Sequence, residues 1–400
     1  MRILFVCHRF PFPPTRGGKI RPFNIIRHLG EQHDVTVASL VRSAEEAQEG
    51  QGLAKYCSRV IMERITPSAA LARMAARLPS ATPSSMGYFH SPALAHQLRQ
   101  TLARERFDLV FVHCAFVAPY VADAIGVPKI LDFGDMDSQK WLAYSRSRQF
   151  PVSLGYWLES HKLRRVEARL AARFQLCTFT TRAEMETLAG YRVGVPLGWF
   201  PNGVDTEHFR PTARPYDPDT IAFVGRMDYY PNQEAMTTFC RTVWPVLRAR
   251  RARLTLTIVG ADPPQAMREL GRLPGVTVTG SVPDVRPYLH LAALTIAPLN
   301  IARGTQNKIL EAMALGVPTV SSLAAAGGID AEPGRDFLTA STPQQYADAI
   351  LPLLESPAER RRISEAGRAR VLSHHSWERS LRTLDGLIDL CVRSHAGALR

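Results

Sequence analysis

A strand, a polar loop and a helix follow one another in residues 294–320, and this segment restricts the fold more than any other. The apolar run 294–297 has the length of a buried strand, and the loop after it contains Gly304. The helix that follows ends where Gly316 and Pro318 stop it, before a further apolar run. Consecutive units of this kind form parallel sheets, whose ligand sites lie at the carboxyl ends of the strands.

The amino end of this helix has the composition of an anion site. The backbone N–H groups of Thr305, Gln306 and Asn307 have no partner inside the helix, and the helix dipole adds about half a positive charge there. Lys308 adds a full charge, and Glu311, further along the same face, offers two acceptor oxygens suited to paired hydroxyls. A phosphate beside a vicinal diol describes a nucleotide. An ordinary unit with a solvated lysine and glutamate is the alternative.

Strands and helices alternate along both halves of the chain, which predicts an α/β protein with parallel sheets. In the first half, strands are predicted at 2–6, 35–40, 108–113, 129–133 and 177–180. Helices are predicted between them at 22–30, 60–105, 115–124 and 155–174. In the second half, strands are predicted at 220–224, 254–259, 276–279 and 294–297, and helices at 232–248, 265–270, 285–291, 348–370 and 377–391.

Length and charge narrow the class of protein. A chain of 400 residues predicts two domains, or three. The net charge is +13, and residues 1–200 carry most of it, with 26 basic against 16 acidic side chains. No helix-turn-helix, zinc finger or aromatic-basic motif accompanies this charge, so an anionic membrane surface or a phosphate-bearing lipid acceptor is favoured over a nucleic acid. Six scattered cysteines, and the lack of a signal peptide or a membrane-length apolar run, predict a cytoplasmic protein.

The segment 304–320, which reads GTQNKILEAMALGVPTV, resembles the donor-site segment of retaining glycosyltransferases of family 4. The forms Gly-Arg-Met-x-Tyr-x-Pro-Asn at 225–232 and Gly-x-Gln-Asn-Lys-x-x-Glu at 304–311 are most similar to the sugar transferases of bacterial PEP-CTERM/exosortase exopolysaccharide systems. Other segments agree in the expected order, so that the resemblance spans nearly the whole chain: Arg16-Gly17-Gly18, Phe200 to Asp205, Phe223 to Met227 and Ile258-Val259-Gly260.

The resemblance implies the GT-B fold, in which two Rossmann-like domains with parallel sheets face each other across a cleft. We expect an acceptor-side domain at 1–200, a donor domain at 201–375 and a C-terminal helix at 376–400 that packs back on the first domain. The expected substrates are a UDP- or GDP-linked sugar and a glycan or lipid-linked acceptor. No cofactor and no metal are expected.

Donor-site residues are expected after strands of both domains. Gly17 and Gly18 follow the first strand, where backbone can approach a ligand closely, and the resemblance places them near the donor phosphates. Arg226, just after another strand, is expected to bind the diphosphate in bidentate fashion. The remaining predicted donor residues lie on the loop and helix described above: Thr305, Gln306, Lys308 and Glu311.

Carboxylates at the end of the strand 129–133 are the predicted catalytic residues. Asp132 and Asp135 would activate the acceptor or stabilise the cationic sugar. Asp135-Met136-Asp137 also spells the Asp-x-Asp that binds a metal in glycosyltransferases of a different fold. Metal binding is disfavoured here, because the GT-B resemblance implies a metal-independent reaction in which basic residues balance the diphosphate.

Three positions depart from the family pattern. Gly134 stands where a histidine often precedes the aspartate, and Pro231 stands where a lysine usually follows the site arginine. Arg303 replaces the first of two glutamates eight positions apart, which normally contacts the hydroxyls of the donor sugar. Lys308 is the expected substitute for the missing lysine, and the identity of the sugar stays open.

The predicted function is transfer of a sugar, with retention, to a growing and lipid-linked glycan in exopolysaccharide or cell-surface polysaccharide synthesis at the inner face of the cell membrane. Two alternatives remain: a sugar-nucleotide epimerase or phosphorylase on the same fold, and an inactive sugar-nucleotide-binding partner of a polysaccharide synthase. The basic and aromatic helix at 155–174 favours an interfacial role, and packing on the sheet with a solvated face is its alternative.

Overall fold

The computed structural model describes residues 1–398 and divides into two compact units. The first contains Met1–Phe200 and the chain from Leu381 onward, and the second contains Pro201–Ser380. Each unit is built on one parallel sheet with helices between its strands. This confirms the predicted α/β class and the presence of two Rossmann-like sheets.

The sheet of the first unit has seven strands in the order β3-β2-β1-β4-β5-β6-β7. Its strands are β1 (Arg2–Cys7), β2 (Asp34–Val41), β3 (Arg59–Arg64), β4 (Leu109–His113), β5 (Lys129–Gly134), β6 (Leu176–Phe179) and β7 (Leu197–Trp199). Its helices are α1 (Gly17–Gly30), α2 (Ala44–Glu49), α3 (Pro67–Ala76), α4 (Ser84–Tyr88), α5 (Pro92–Arg104), α6 (Asp137–Ser147), α7 (Val152–Ala171) and α8 (Arg182–Ala189).

Continuous apolar runs explain why β1 and β4 occupy the centre of this sheet. Phe5 pairs with Val37 on one side and with Phe111 on the other, and all three side chains are buried. Strands that are covered by helices on both faces carry apolar residues at every position rather than at alternate ones. The order of the strands reverses between β1 and β4, so their carboxyl ends border the crevice where ligands bind in such sheets.

The sheet of the second unit has six strands in the order β10-β9-β8-β11-β12-β13. Its strands are β8 (Asp217–Val224), β9 (Thr255–Val259), β10 (Val276–Val278), β11 (Ala292–Ala297), β12 (Thr319–Ser322) and β13 (Leu338–Ala340). The helices of this part of the chain are α9 (Tyr230–Thr242), α10 (Trp244–Arg250), α11 (Gln265–Glu269), α12 (Arg286–Leu291), α13 (Asn307–Ala314), α14 (Leu323–Ala326), α15 (Pro343–Glu355), α16 (Pro357–His374) and α17 (Trp377–Ala398).

Several predicted helices are wrong in extent. Residues 60–64, predicted as the start of a helix, belong to the edge strand β3, which is only half-buried. The predicted helix 115–124 contains only a 3₁₀ turn at Ala118–Tyr120, where Pro119 removes a backbone donor. The predicted helix 232–248 is divided near Val243, before Pro245, and the segment 348–370 is divided at Ser356, before Pro357. In both divided helices a proline lies in the first turn of the second helix, where its missing N–H group would have no partner within the helix.

The later part of α17 belongs with the first unit. His28 Nε2 on α1 lies 2.8 Å from Asp385 Oδ1, and the side chain of Leu387 occupies the space beside Gly198 of β7. Cys391 is buried in the same unit. Among the helices of residues 1–398, none combines the length and apolarity needed to cross a membrane.

Candidate functional site

Lys308 lies in the first turn of α13, near the ends of β8 and β11. Its Nζ donates a hydrogen bond of 2.7 Å to Asn232 Oδ1 at the start of α9, and it also lies 4.4 Å from the centre of the Phe223 ring. Asn232 is oriented in turn, because its Nδ2 donates to the backbone carbonyl of Arg226 at 2.7 Å. The partners of this ammonium group are a neutral amide and an aromatic face, so its charge has not been cancelled by a direct contact with a carboxylate among residues 1–398.

Gly225 leaves the space in which this cluster forms. A Cβ atom at Gly225 would lie 2.9 Å from Lys308 Nζ and 2.8 Å from Asn232 Nδ2, which is closer than real contacts allow. The backbone here is fixed by hydrogen bonds from Gly225 and Met227 to the end of β9, through the carbonyls of Val259 and Ala261. A glycine is therefore required for Lys308 and Asn232 to reach the end of β8.

Burial shifts the two ionisable groups of α13 in opposite directions. Desolvation lowers the pKa of Lys308 and raises the pKa of Glu311, and the charge of each residue partly offsets the shift of the other. Both shifts weaken the charged forms in the protein alone. A bound phosphate would restore the full charge on Lys308, and hydroxyl groups that donate to Glu311 would restore its carboxylate.

The loop before α13 brings backbone and a hydroxyl group to the same place. Gly304 has φ of 61°, in the left-handed region that glycine tolerates, and its carbonyl leaves no room for a side chain at Gly328. Thr305 Oγ1 is buried without a hydrogen-bond partner in the described part of the chain. Gln306 donates through Nε2 to the carbonyl of Arg303 at 3.1 Å, so its side chain does not cap the helix. Ile309 N–H donates to the carbonyl of Gln306 at 2.9 Å, so among the described residues the N–H groups of Asn307 and Lys308 are the ones left in this turn for a ligand or for water.

Arg226 lies where the sequence predicts it, but two carboxylates hold it. Its guanidinium contacts Asp228 at 2.9 Å through Nε and Asp262 at 2.5 Å through NH2. Asp262 has φ of 54°, a conformation that aspartate tolerates better than most residues. A diphosphate that reached Arg226 would have to share the guanidinium with these carboxylates or displace them.

Glu234 is a residue of this region that the sequence analysis missed. It lies on α9, two residues after Asn232, and its Oε1 accepts a hydrogen bond of 2.9 Å from Asn300, just after β11. Its other carboxylate oxygen is buried and lacks a hydrogen-bond partner within residues 1–398. The carboxylate therefore has an unused acceptor at the carboxyl end of the sheet. No sequence signal identified it, because a glutamate in the second turn of a helix usually has an ordinary solvated side chain.

In the first unit, Arg21 and Asp132 form a buried ion pair at the end of β5. Arg21 on α1 donates through Nε and NH2 to the two oxygens of Asp132, at 2.9 and 2.8 Å. Asp132 also accepts from Thr178 Oγ1 at 2.9 Å and contacts His113 Nδ1 at 2.7 Å. The Arg21 guanidinium lies 3.7 Å from the centre of the Phe200 ring. This network fixes α1 against the carboxyl ends of β4, β5 and β6.

Asp132, predicted to activate the acceptor or to stabilise the cationic sugar, occupies a structural position in the protein alone. The residue is completely buried, and its two oxygens have four partners within the protein. Burial alone would raise the pKa of Asp132, but the charge and hydrogen bonds of Arg21, followed by those of His113, hold it well below its usual value. These partners therefore favour the ionised form of Asp132, which positions Arg21 and His113.

His113 and His8 are two further residues that the sequence analysis missed. His113 is the last residue of β4, and His8 directly follows β1. Their rings lie 5.9 Å apart. The contact with Asp132 fixes the orientation of the His113 ring. Burial, and then the charge of Arg9, lowers the pKa of His8 well below its usual value, which favours the neutral ring. The available signal was position alone, since a histidine at the end of an apolar run in a parallel sheet faces the ligand edge.

The structure places Gly17 and Gly18 in the first turn of α1, directly after the β1 loop. Open space surrounds the Cβ position of Gly17, and Arg9 is the nearest side chain to that of Gly18, at 3.6 Å. Asp135 lies after β5 and is half-buried, and its Oδ1 accepts 2.7 Å from Thr180 Oγ1. Gly17, Gly18 and Asp135 lie at the carboxyl edge of the first sheet, as Arg226, Thr305, Gln306, Lys308 and Glu311 do at that of the second.

The Asp-x-Asp sequence at 135–137 is the candidate metal-binding segment of this chain. Within residues 1–398, no group of three or more histidine, cysteine, aspartate and glutamate side chains is arranged to hold a metal ion. Asp137 of the Asp-x-Asp sequence contacts Cys114 Sγ at 3.9 Å, and its pKa is raised by burial.

Comparison with known families assigns both units to the same class of enzyme. Residues 16–208 match the family model described as Glycosyltransferase Family 4, and residues 218–356 match the one described as Glycosyl transferases group 1. The protein is a glycosyltransferase with the GT-B fold. It carries a glycosyltransferase family 4 domain followed by a group 1 domain. No curated protein sequence matches the chain.

Solved structures share this fold over almost the whole chain. Sucrose-phosphate synthase from Thermosynechococcus elongatus has a TM-score of 0.73 and 15% identity, covering 98% of this chain and 100% of its own. HepE from Anabaena, solved in complex with UDP-glucose, has a TM-score of 0.69 and 15% identity, covering 97% and 100%. A trehalose-phosphate synthase from Burkholderia vietnamiensis has a TM-score of 0.63 and 14% identity, covering 98% and 99%. At these identities the likeness shows the fold.

Proposed function

We propose that this glycosyltransferase moves a sugar, with retention of configuration, from a UDP- or GDP-linked donor to a glycan or lipid-linked acceptor. The observation that carries the proposal is the cluster of Gly225, Asn232 and Lys308 at the carboxyl ends of β8 and β11. This cluster has an ammonium group with neutral partners beside the N–H groups of Asn307 and Lys308, which have no partner in the described chain. That arrangement suits a diphosphate, and HepE, which shares the fold, was solved with UDP-glucose bound.

The same cluster joins the two segments that resemble the exopolysaccharide transferases. Asn232 ends the form found at 225–232, Lys308 belongs to the form found at 304–311, and their side chains are hydrogen-bonded. Lys308 thereby takes the place of the lysine that Pro231 replaces. This contact supports a role in exopolysaccharide assembly of the PEP-CTERM/exosortase kind, at the cytoplasmic face of the membrane.

Transfer requires the leaving diphosphate to be stabilised while positive charge develops at the anomeric carbon. Lys308, the amino end of α13 and Arg226 supply the positive groups in this proposal, and no metal ion is required. Glu311 accepts hydrogen bonds from the ribose hydroxyls. Asp135, which is half-buried and held by Thr180, faces the acceptor side or the cationic sugar. The buried Asp132 acts only through Arg21 and His113.

A panel of nucleotide sugars tests the function directly. The purified protein is incubated with each donor, with and without a short lipid-linked or glycan acceptor, and the released nucleoside diphosphate is measured in EDTA. We expect release from one donor, an undiminished rate in EDTA, and a sugar product of unchanged anomeric configuration by proton NMR. An inverted product would contradict retention. Isomerisation of the donor sugar without net transfer would identify an epimerase, and donor binding without turnover would identify an inactive partner protein.

A further inference from the structure

The hairpin formed by α6 and α7 carries an exposed apolar tip. Phe150 in the connection is 78% exposed, and Val152, Leu154, Trp157 and Leu158 in the first two turns of α7 are each about half exposed. Five of the nine residues at 150–158 are therefore large apolar side chains in contact with solvent, and a patch this dense marks an interaction surface rather than ordinary scatter.

A packed aromatic cluster holds the tip in place. The rings of Trp141 on α6 and Tyr156 on α7 lie 5.2 Å apart, and Tyr144 lies 5.8 Å from Tyr156. Farther along α7, Glu159 is buried and accepts from the backbone N–H groups of Ser84 and Ser85, at 3.0 and 2.8 Å. The hairpin is thus fixed to the unit at its base while its tip projects apolar side chains.

The apolar tip is bordered by positive charge. Residues 140–173 contain eight basic side chains and two acidic ones, and both acidic residues, Glu159 and Glu167, are buried. Lys162 on α7 donates to the backbone carbonyl of Leu78, after α3, at 2.9 Å. The side chain of Leu78 is itself 67% exposed. Asp137, at the start of α6, is the remaining acidic residue of the hairpin and is half-buried, so the fully exposed charge is basic.

We infer that the α6–α7 tip, defined as residues 148–158, inserts into the interface of an anionic lipid bilayer. The inference names the surface through which the proposed membrane association occurs and rests on that part of the proposed function. Aromatic and aliphatic side chains at the tip enter the boundary between headgroups and acyl chains, while the arginines behind them contact anionic headgroups. Charge complementarity favours this occupant over a neutral protein surface.

Two glycines provide a matched pair of probe positions. Gly155 in the tip and Gly386 on α17 are both exposed helical residues of the first unit with open space at the Cβ position. Cysteine is introduced at each in a Cys57→Ser background, because the other five native cysteines are buried. Each variant is labelled with an NBD fluorophore and mixed with vesicles of phosphatidylcholine containing phosphatidylglycerol. We expect a blue shift and a rise in emission at position 155 and no change at position 386.

Charge variants test the second half of the inference. Arg164→Gln with Arg165→Gln should weaken partitioning to these vesicles about tenfold to thirtyfold, because each basic residue near the surface contributes roughly fivefold. Arg104→Gln with Arg106→Gln removes the same charge from another exposed part of the first unit and should change partitioning less than twofold. Equal losses in the two pairs would show a nonspecific charge effect and overturn the assignment to the hairpin.

Other outcomes separate this surface from the rest of the account. If the protein co-sediments with vesicles but the fluorescence at position 155 does not change, the tip is not the inserting surface, although the protein still binds membranes. A blue shift that grows with protein concentration and needs no vesicles would assign the tip to a second copy of the chain. Failure to sediment with any anionic vesicle would remove membrane association altogether. None of these results affects donor turnover in solution, which tests the transfer chemistry independently.

Discussion

The two units place basic residues at the same edge of similar sheets, yet they treat the charge in opposite ways. In the first unit, Arg21 is buried against Asp132 with two short hydrogen bonds, and the pair is complete in the protein alone. In the second unit, Lys308 meets an amide and an aromatic ring. A saturated pair builds structure, whereas a desolvated cation with neutral partners is suited to bind an anion that arrives later.

The largest effect that would test this comparison comes from breaking the saturated pair. Arg21→Ala leaves Asp132 buried without its main cation, and we expect a loss of about 3–5 kcal/mol in the free energy of unfolding. Urea denaturation followed by circular dichroism measures it. Arg16→Ala, on an exposed side chain at the start of the same helix, should change stability by about 0.5 kcal/mol or less. Similar losses in the two variants would show that the pair is not structural.

A buried carboxylate without such a cation provides the next largest effect. Glu167 accepts from the Ser138 N–H, but its Oε2 has no hydrogen-bond partner in the described chain, and burial raises its pKa from 4.5 to about 7. The folded protein therefore binds more protons than the unfolded chain between these pH values, so stability falls as pH rises from about 4.5 to about 7. We expect ionisation of Glu167 to lower the free energy of unfolding by on the order of 2–3 kcal/mol over that pH range.

Glu167→Gln should flatten this dependence, because the amide cannot ionise. Urea unfolding at pH 5 and pH 8 gives the comparison, with the exposed Glu186→Gln as the control that should leave the slope unchanged. If Glu167→Gln retains the full pH dependence, the burial of an unpaired carboxylate is not its source. Asp132 has the opposite sign: its pKa is depressed, so its contribution is present above its ordinary pKa of 3.8 and is lost as pH falls below that value.

Arg226 provides a second basic residue in the same unit as Lys308, but one that is paired with carboxylates. Its replacement should have the smallest effect of the variants considered. Because Asp228 and Asp262 already share its guanidinium, Arg226→Ala should weaken nucleoside diphosphate binding only about threefold to tenfold. Asp262→Asn should strengthen binding about threefold, since it removes a competing anion. Calorimetric titration measures both. A loss for Arg226→Ala larger than that for Lys308→Ala would reverse the order proposed for the two cations.

The sequence predicted what local chemistry determines. The strand, loop and helix at 294–320 were predicted because apolar runs, Gly316 and Pro318 mark their limits within one segment. The edge strand β3 was missed because it is only half-buried, so its pattern lacks the continuous apolar run that identified β1. Helix limits near prolines failed for the same local reason: a proline can start a new helix as well as end an old one.

The sequence did not predict side-chain contacts between residues that lie far apart in the chain. Asp132 at a strand end reads as an exposed acid until Arg21, 111 residues away, is seen to cover it. Lys308 was assigned to the phosphate from the helix start and from the family resemblance, but its contact with Asn232 joins positions 76 residues apart. Such pairings depend on which strands become neighbours and on how deep each side chain lies, and neither property is encoded in a local pattern.

The central claim is that Lys308 holds the diphosphate of the donor. Isothermal titration calorimetry with UDP and uridine, and with GDP and guanosine, compares ligands that differ only in the diphosphate. We predict that Lys308→Ala weakens binding of the preferred nucleoside diphosphate about tenfold to a hundredfold, since a charge-assisted bond contributes roughly 1.5–3 kcal/mol, and leaves the matched nucleoside unchanged. Glu311→Gln, the control for the ribose, should weaken both ligands. Equal weakening of nucleoside and diphosphate by Lys308→Ala would contradict the account, because Lys308 would then support only the fold of the loop.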